Sequence, residues 1–210
     1  MEEVEVEIII PELPDVPRVL DGLAGHLGLE PHSLGMTTTF DRMVDTDDMA
    51  LLSKDHSLRV RQKLENTFSG NEFRLTYKQP LREHERMFIR REQKLTLNEP
   101  EFERVLFLLS SLSEGVSGQE LKSIMEIREL AREANLGEKG SQLNISVDNS
   151  TYYKPGAEEP GAEEYVFEIE SHGVPEDLVL KAADWVLKEL GGREAASPKY
   201  VRGLRKLGML

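Results

Sequence analysis

Glu3, Glu5 and Glu7 occupy alternate positions at the start of the chain, with Val4 and Val6 between them and Ile8, Ile9 and Ile10 behind. A strand turns successive side chains to opposite faces, so this segment sets carboxylates on one wall and aliphatic groups on the other. The same alternation returns as Glu168-Ile169-Glu170, and with basic residues as Arg59-Val60-Arg61, Thr76-Tyr77-Lys78 and Arg90-Arg91-Glu92. Taken one strand at a time, such alternation describes the solvated face of a two-layer sheet, where ion pairs contribute about 0–1 kcal/mol each. Glu3 is assigned to such a face.

The pattern places further strands at 36–45, 58–64, 73–78, 87–97, 142–148 and 165–171, the last of these closing the series. Ser69-Gly70-Asn71 turns a hairpin, and Thr46-Asp47-Asp48 ends the second strand. Helices are expected at 16–27, closed by Gly28, from Asn98 through Leu112, and at 175–190 with Leu178, Ala182, Trp185 and Leu190 inward. Residues 121–136 fit neither period, although their composition favours helix. Residues 154–164 carry a tandem Pro-Gly-Ala-Glu-Glu and read as an exposed loop. The fold class is mainly β (α+β): a closed antiparallel barrel with helices outside, formed as one domain over 1–210.

The formal net charge of −13 excludes general nucleic-acid binding, which needs a basic face. The absence of cysteine excludes disulfides and thiolate metal sites. With no basic leader and no apolar run long enough for a bilayer, a cytoplasmic protein without a membrane partner is expected. A homodimer is left open. The five histidines have no ligand spacing and read as surface or packing groups, while Trp185 and the methionines read as core. Lys199, Arg202, Arg205 and Lys206 read as a solvated tail helix.

In order along the chain, Glu5-Val6-Glu7-Ile8-Ile9, Met43-Val44-Asp45-Thr46 with Leu51, Leu58-Arg59-Val60-Arg61, Leu75-Thr76-Tyr77-Lys78-Gln79-Pro80, Arg90-Arg91-Glu92 and Phe167-Glu168-Ile169-Glu170 resemble the motif series of the CYTH family, the triphosphate tunnel metalloenzymes. Ser197 to Tyr200 has a family counterpart as well. Two positions depart from the pattern. Ile9 stands where the family has a phosphate-facing lysine, and Lys94 stands where another acid is common, which raises the question whether Lys94 compensates for Ile9.

The resemblance implies a tunnel that binds a triphosphate-containing small molecule together with Mg²⁺ or Mn²⁺. Arg59, Arg61, Lys78, Arg90, Lys94 and Arg128 are its expected phosphate-binding residues, since several cations are needed along a chain of hard oxygen anions. Glu5, Glu7, Asp148, Glu168 and Glu170 are the expected metal ligands, and Arg90 and Glu92 the expected catalytic pair. The implied reaction is hydrolysis of a triphosphate. The alternatives are cyclisation of ATP, as in class IV adenylyl cyclases, and binding without turnover.

Overall fold

The computed structural model describes residues 2–63, 73–97 and 121–210. The expected helix at 98–112 and the turn at 69–71 lie outside the described residues. The strands are β1 (Glu2–Ile10), β2 (Pro31–Asp45), β3 (Ser57–Lys63), β4 (Phe73–Arg82), β5 (Phe88–Leu97), β6 (Lys122–Glu138), β7 (Ser141–Tyr153), β8 (Ala162–His172) and the short β9 (Arg193–Glu194). The helices are α1 (Val16–Leu27), α2 (Glu176–Leu190) and α3 (Lys199–Lys206). Neighbouring strands run β5-β4-β3-β2-β6-β7-β8-β1, and β1 also pairs with β5, which closes an antiparallel barrel. Closure leaves no free edge along the paired stretch.

β1 forms the seam. Glu2 to Glu5 face Arg91 to Phe88 of β5, and Ile8 and Ile9 face Glu194 and Arg193 of β9. Its other edge pairs with β8, with Glu5 opposite Glu170 and Glu7 opposite Glu168. β9 follows β8 in the chain, so the strand at 162–172 is not the last. β8 also begins earlier than its sequence suggests, which takes Glu163 and Glu164 out of the loop and into the sheet.

Residues 122–138 are a strand despite their helix-forming composition. β6 pairs along its length with both β2 and β7, and paired backbone on two sides outweighs intrinsic preference. Its alternation is blurred because both faces are partly covered. Ala134 and Leu136 join the outer core, while Glu129 lies buried on the inner wall.

The outer core packs the outward residues of β1, β7 and β8 against α1 and α2. Asp15 caps α1 through the Arg18 amide, and Gly28 ends it in the left-handed region at φ 68°. In α2 the fully buried positions are Val179, Ala182, Ala183 and Val186, whereas Leu178, Trp185 and Leu190 are only partly covered. The helix is therefore turned from the expected face. Trp185 stacks on His26 at the margin, and Met36 is 69% exposed on β2, so neither belongs to the interior.

A second apolar group fills one end of the barrel. Tyr200, Val201 and Leu204 of α3, with Leu207 just after it, pack on Met43, Met125, Ile127 and Tyr152 from the strands. Gly203 permits this approach, since a Cβ there would lie 2.5 Å from the Tyr152 ring and 2.7 Å from Met125 Sδ. The tandem segment contributes too. Gly156 supplies a turn at φ 71°, and Gly161 leaves room for Leu207.

Candidate functional site

Inward positions on β1 to β8 enclose a cavity of about 530 Å³, stopped at one end by Pro198, Lys199 and Tyr200. β3, β4 and β5 give it a basic wall with Arg59, Arg61, Lys78, Arg90 and Lys94, and β1 and β8 an acidic one with Glu3, Glu5, Glu7, Glu168 and Glu170. Glu92 lies among the basic residues. Most of the residues expected at the site thus share one space.

Three expectations change. Glu3 is 5% exposed and faces inward with Glu5 and Glu7, because the seam with β5 covers that end of the strand. Arg128 is exposed on the outer face of β6, its guanidinium over the Tyr153 ring at 4.5 Å and near Phe40 at 5.9 Å. Strand parity decides this: Glu129 points inward, so its neighbour Arg128 points out. The tail helix is solvated on one side only: Arg205 and Lys206 are exposed as expected, whereas Arg202 is buried and Lys199 half-buried among acids inside the barrel.

Lys94 cannot replace a lysine at position 9. β1 sets Glu3 opposite Arg90, so Lys94 falls beyond the N-terminal end of β1, away from Ile9. Its ammonium pairs with Glu92 instead. Asp148 is 1% exposed and does not line the cavity; it meets Lys199 at 2.6 Å and the Ser146 hydroxyl.

Most of the acids have a lysine or arginine partner, whereas Glu170 meets, among the described residues, only the His172 ring at 3.2 Å. Lys78 Nζ lies 2.6 Å from Glu3 and 3.7 Å from Glu5, and Arg90 lies 2.6 Å from Glu5. Arg61 grips Asp41 with two bonds of 2.7 Å and reaches Glu129 at 3.2 Å. Arg202 joins Glu7 to Glu164, which the Tyr152 hydroxyl also contacts. Lys199 lies 2.6 Å from Glu129 and 2.5 Å from Glu168. Arg59 is the loosest of these cations, with one 3.4 Å contact to Asp41 and a side chain 23% exposed.

These neighbours pull the acids apart in proton affinity. Burial tends to raise Glu5, but Arg90 and Lys78 outweigh it and hold the carboxyl far below its ordinary value. Burial and the adjacent Glu5 charge push Glu7 up to about 8, and burial with Glu3 and Glu5 lifts Glu170 to about 7. Glu129 is held at about 2: burial opposes ionisation there, but Lys199 and Arg61 prevail.

One carboxylate oxygen each from Glu5, Glu7 and Glu168 lie within 4.8 Å of one another. An all-oxygen, anionic set of this kind suits a hard divalent cation such as Mg²⁺ or Mn²⁺. The Asp45 carboxylate, by contrast, is committed to the loop, where it accepts from the Thr46, Leu51 and Leu52 amides at 2.7, 2.9 and 2.9 Å. The Asp-Thr landmark is therefore a turn scaffold.

Asp41, Glu129, Glu164, Lys199 and Arg202 were absent from the sequence-based site. Asp41 carries a visible signal, a lone acid at an inward position of a β-branched strand. Glu129 becomes legible only once β6 is known to be a strand. Lys199 and Arg202 stand three apart on one helical face beside Ser197 and Tyr200, a pattern equally suited to solvent.

A closed barrel with acid and base facing each other across its interior has the form of a charged tunnel. The CYTH domain model matches residues 1–204, and the chain belongs to the CYTH family. Among solved structures it is similar to HpAC1 of Hippeastrum, a candidate adenylyl cyclase that reveals a dominant triphosphatase activity (17% identity, 99% of this chain and 97% of that one, TM-score 0.64). It is also similar to the PH1819 protein of Pyrococcus horikoshii OT3 (20% identity, 97% and 99%, TM-score 0.61). A candidate adenylate cyclase of Bacillus halodurans gives 20% identity, 96% and 97% coverage and a TM-score of 0.59. At these identities the likeness is one of fold. No curated protein sequence is significantly similar to the chain. No helix among the described residues is long and apolar enough to cross a membrane.

Proposed function

We propose that the protein hydrolyses the terminal phosphoanhydride of a triphosphate, whether inorganic tripolyphosphate, thiamine triphosphate or a nucleoside triphosphate. The observation that carries this reading is the convergence of Arg59, Arg61, Lys78 and Arg90 with Glu5, Glu7 and Glu168 on one cavity stopped at one end. A polyanion laid along the basic wall meets Arg61, then Arg59 and Lys94 at the level of Thr76, then Lys78 and Arg90. Thr76 Oγ1 and Arg59 Nε are buried on that wall without hydrogen-bond partners among the described residues, and both can donate to phosphate oxygen.

Glu5, Glu7 and Glu168 would hold Mg²⁺ or Mn²⁺, with Glu170 and Asp148 flanking them. Bound there, the ion supplies charge neutralisation at the phosphate oxygens and acidifies water. Arg90 stabilises charge on the transferred phosphoryl group, and Arg59 and Arg61 fix its orientation. Glu92 is shifted toward the ionised form: burial opposes this, but Lys78 and Lys94 prevail, leaving a carboxylate able to accept a proton from the attacking water.

The triphosphatase activity described for HpAC1 supports hydrolysis over cyclisation. Phosphate release from a panel of triphosphates with Mg²⁺ or Mn²⁺ tests the reading, and EDTA is expected to abolish it. Cyclic nucleotide with pyrophosphate as product would shift the reading to a cyclase. Tight binding without product would leave a non-catalytic anion-binding protein.

A further inference from the structure

Every member of the Glu5–Glu7–Glu168 cluster is already neutralised from within the chain. Arg90 serves Glu5 at 2.6 Å, Arg202 serves Glu7, and Lys199 serves Glu168 at 2.5 Å. The three cations differ in how firmly they are held. Arg90 projects from a strand inside the barrel wall, and Arg202 is tied to Glu164 and to the Ser197 carbonyl as well. Lys199 opens α3 as its first residue, lines the cavity and ends in a single ammonium on a flexible stem. When it leaves Glu168 it keeps two further acids, Glu129 and Asp148, each 2.6 Å away.

We propose that Lys199 is the resident counter-cation of this acidic cluster, which a divalent ion displaces from Glu168 on binding. Glu168 then changes partner while Lys199 stays inside the tunnel on Glu129 and Asp148, facing the incoming anion. The exchange avoids two costly states. No carboxylate is left buried and unpaired before the ion arrives, and no ammonium afterwards. It also sets an order, with cation before anion, because Lys199 is engaged by Glu168 until the ion takes its place. This inference rests on the proposed metal site.

Calorimetric titration with Mn²⁺ alone tests it, using the unmodified chain, Lys199→Met and the control Lys206→Met, whose ammonium touches Glu164 outside the cluster at 3.6 Å. Removing the competitor is expected to tighten Mn²⁺ binding by Lys199→Met about tenfold, equivalent to about 1.4 kcal/mol. Lys206→Met should bind as the unmodified chain does. A folded Lys199→Met protein with unchanged or weaker Mn²⁺ affinity overturns the exchange while leaving the metal site standing. Failure of the unmodified chain to bind Mn²⁺ overturns the metal site and the exchange together. Should Lys199→Met not fold, amine labelling of the unmodified chain read by mass spectrometry decides the matter. Mg²⁺ is expected to raise labelling of Lys199 and leave Lys206 unchanged, and equal Lys199 labelling with and without bound Mg²⁺ overturns the proposal.

Discussion

Arg59 and Arg61 share a strand face and a neighbour in Asp41, yet they are held differently. Arg61 carries two bonds to Asp41 and a third to Glu129, and these acids raise its proton affinity against the effect of burial. Arg61→Ala would leave two buried carboxylates short of a partner, at a cost of about 3–5 kcal/mol. Urea denaturation should show this loss directly. Arg59→Ala removes a cation with one long contact, so its stability should change by less than about 1 kcal/mol, while KM for the triphosphate rises several-fold. Equal losses of stability in both variants would remove the distinction between an arginine that also anchors the wall and one held loosely for substrate. Both arginines were legible in the sequence as a pair because strand parity is so regular. Their difference was not, since it depends on Asp41 and Glu129 arriving from β2 and β6.

At the scale of elements, α3 deviates most from what its sequence suggests. Its cations look like a solvated face because nothing local reveals that the barrel end receives the helix. What admits it is the missing side chain at Gly203, against Tyr152 and Met125. Gly203→Ala should cost about 1–3 kcal/mol through overpacking, seen as a lower Tm, and should weaken triphosphate binding by misplacing Lys199. Gly161→Ala meets only the end of the Leu207 side chain, which can turn aside, so its Tm should fall less. The reverse ranking would mean that α3 is seated by the tandem segment. The strands were easier to read than the helix, since alternation survives wherever one face meets the cavity. It failed in β6, where Ala134 and Leu136 are covered from outside and Glu129 from inside, and composition alone pointed the wrong way.

For the molecule as a whole, the enclosed acids set opposing limits on pH. Glu7 and Glu170 are raised to about 8 and about 7, so the folded chain holds their protons more tightly than the unfolded chain. Their stabilising effect is complete below the ordinary carboxylate value of 4.5 and is lost as pH climbs through 7 and 8. Glu129, Glu92 and Glu164 are lowered; they stabilise above that value and cease to as pH falls. Without metal, Tm should peak in weakly acidic solution and decline toward pH 8, and Mg²⁺ should reduce the decline by favouring the ionised cluster. A metal-free Tm that holds level from neutrality to pH 9 would contradict this account.

The seam at β1 bears on how the chain assembles. Glu5 must wait for Glu170 to be synthesised before that side of the sheet can zip, and for Phe88 on the other. Pairings so distant in sequence form slowly, so the opening strand spends the interval as an unclaimed edge. Four like charges along it discourage a stray neighbour from docking there. The carboxylates gathered around the anion cavity thus begin as guardians of an unfinished ring.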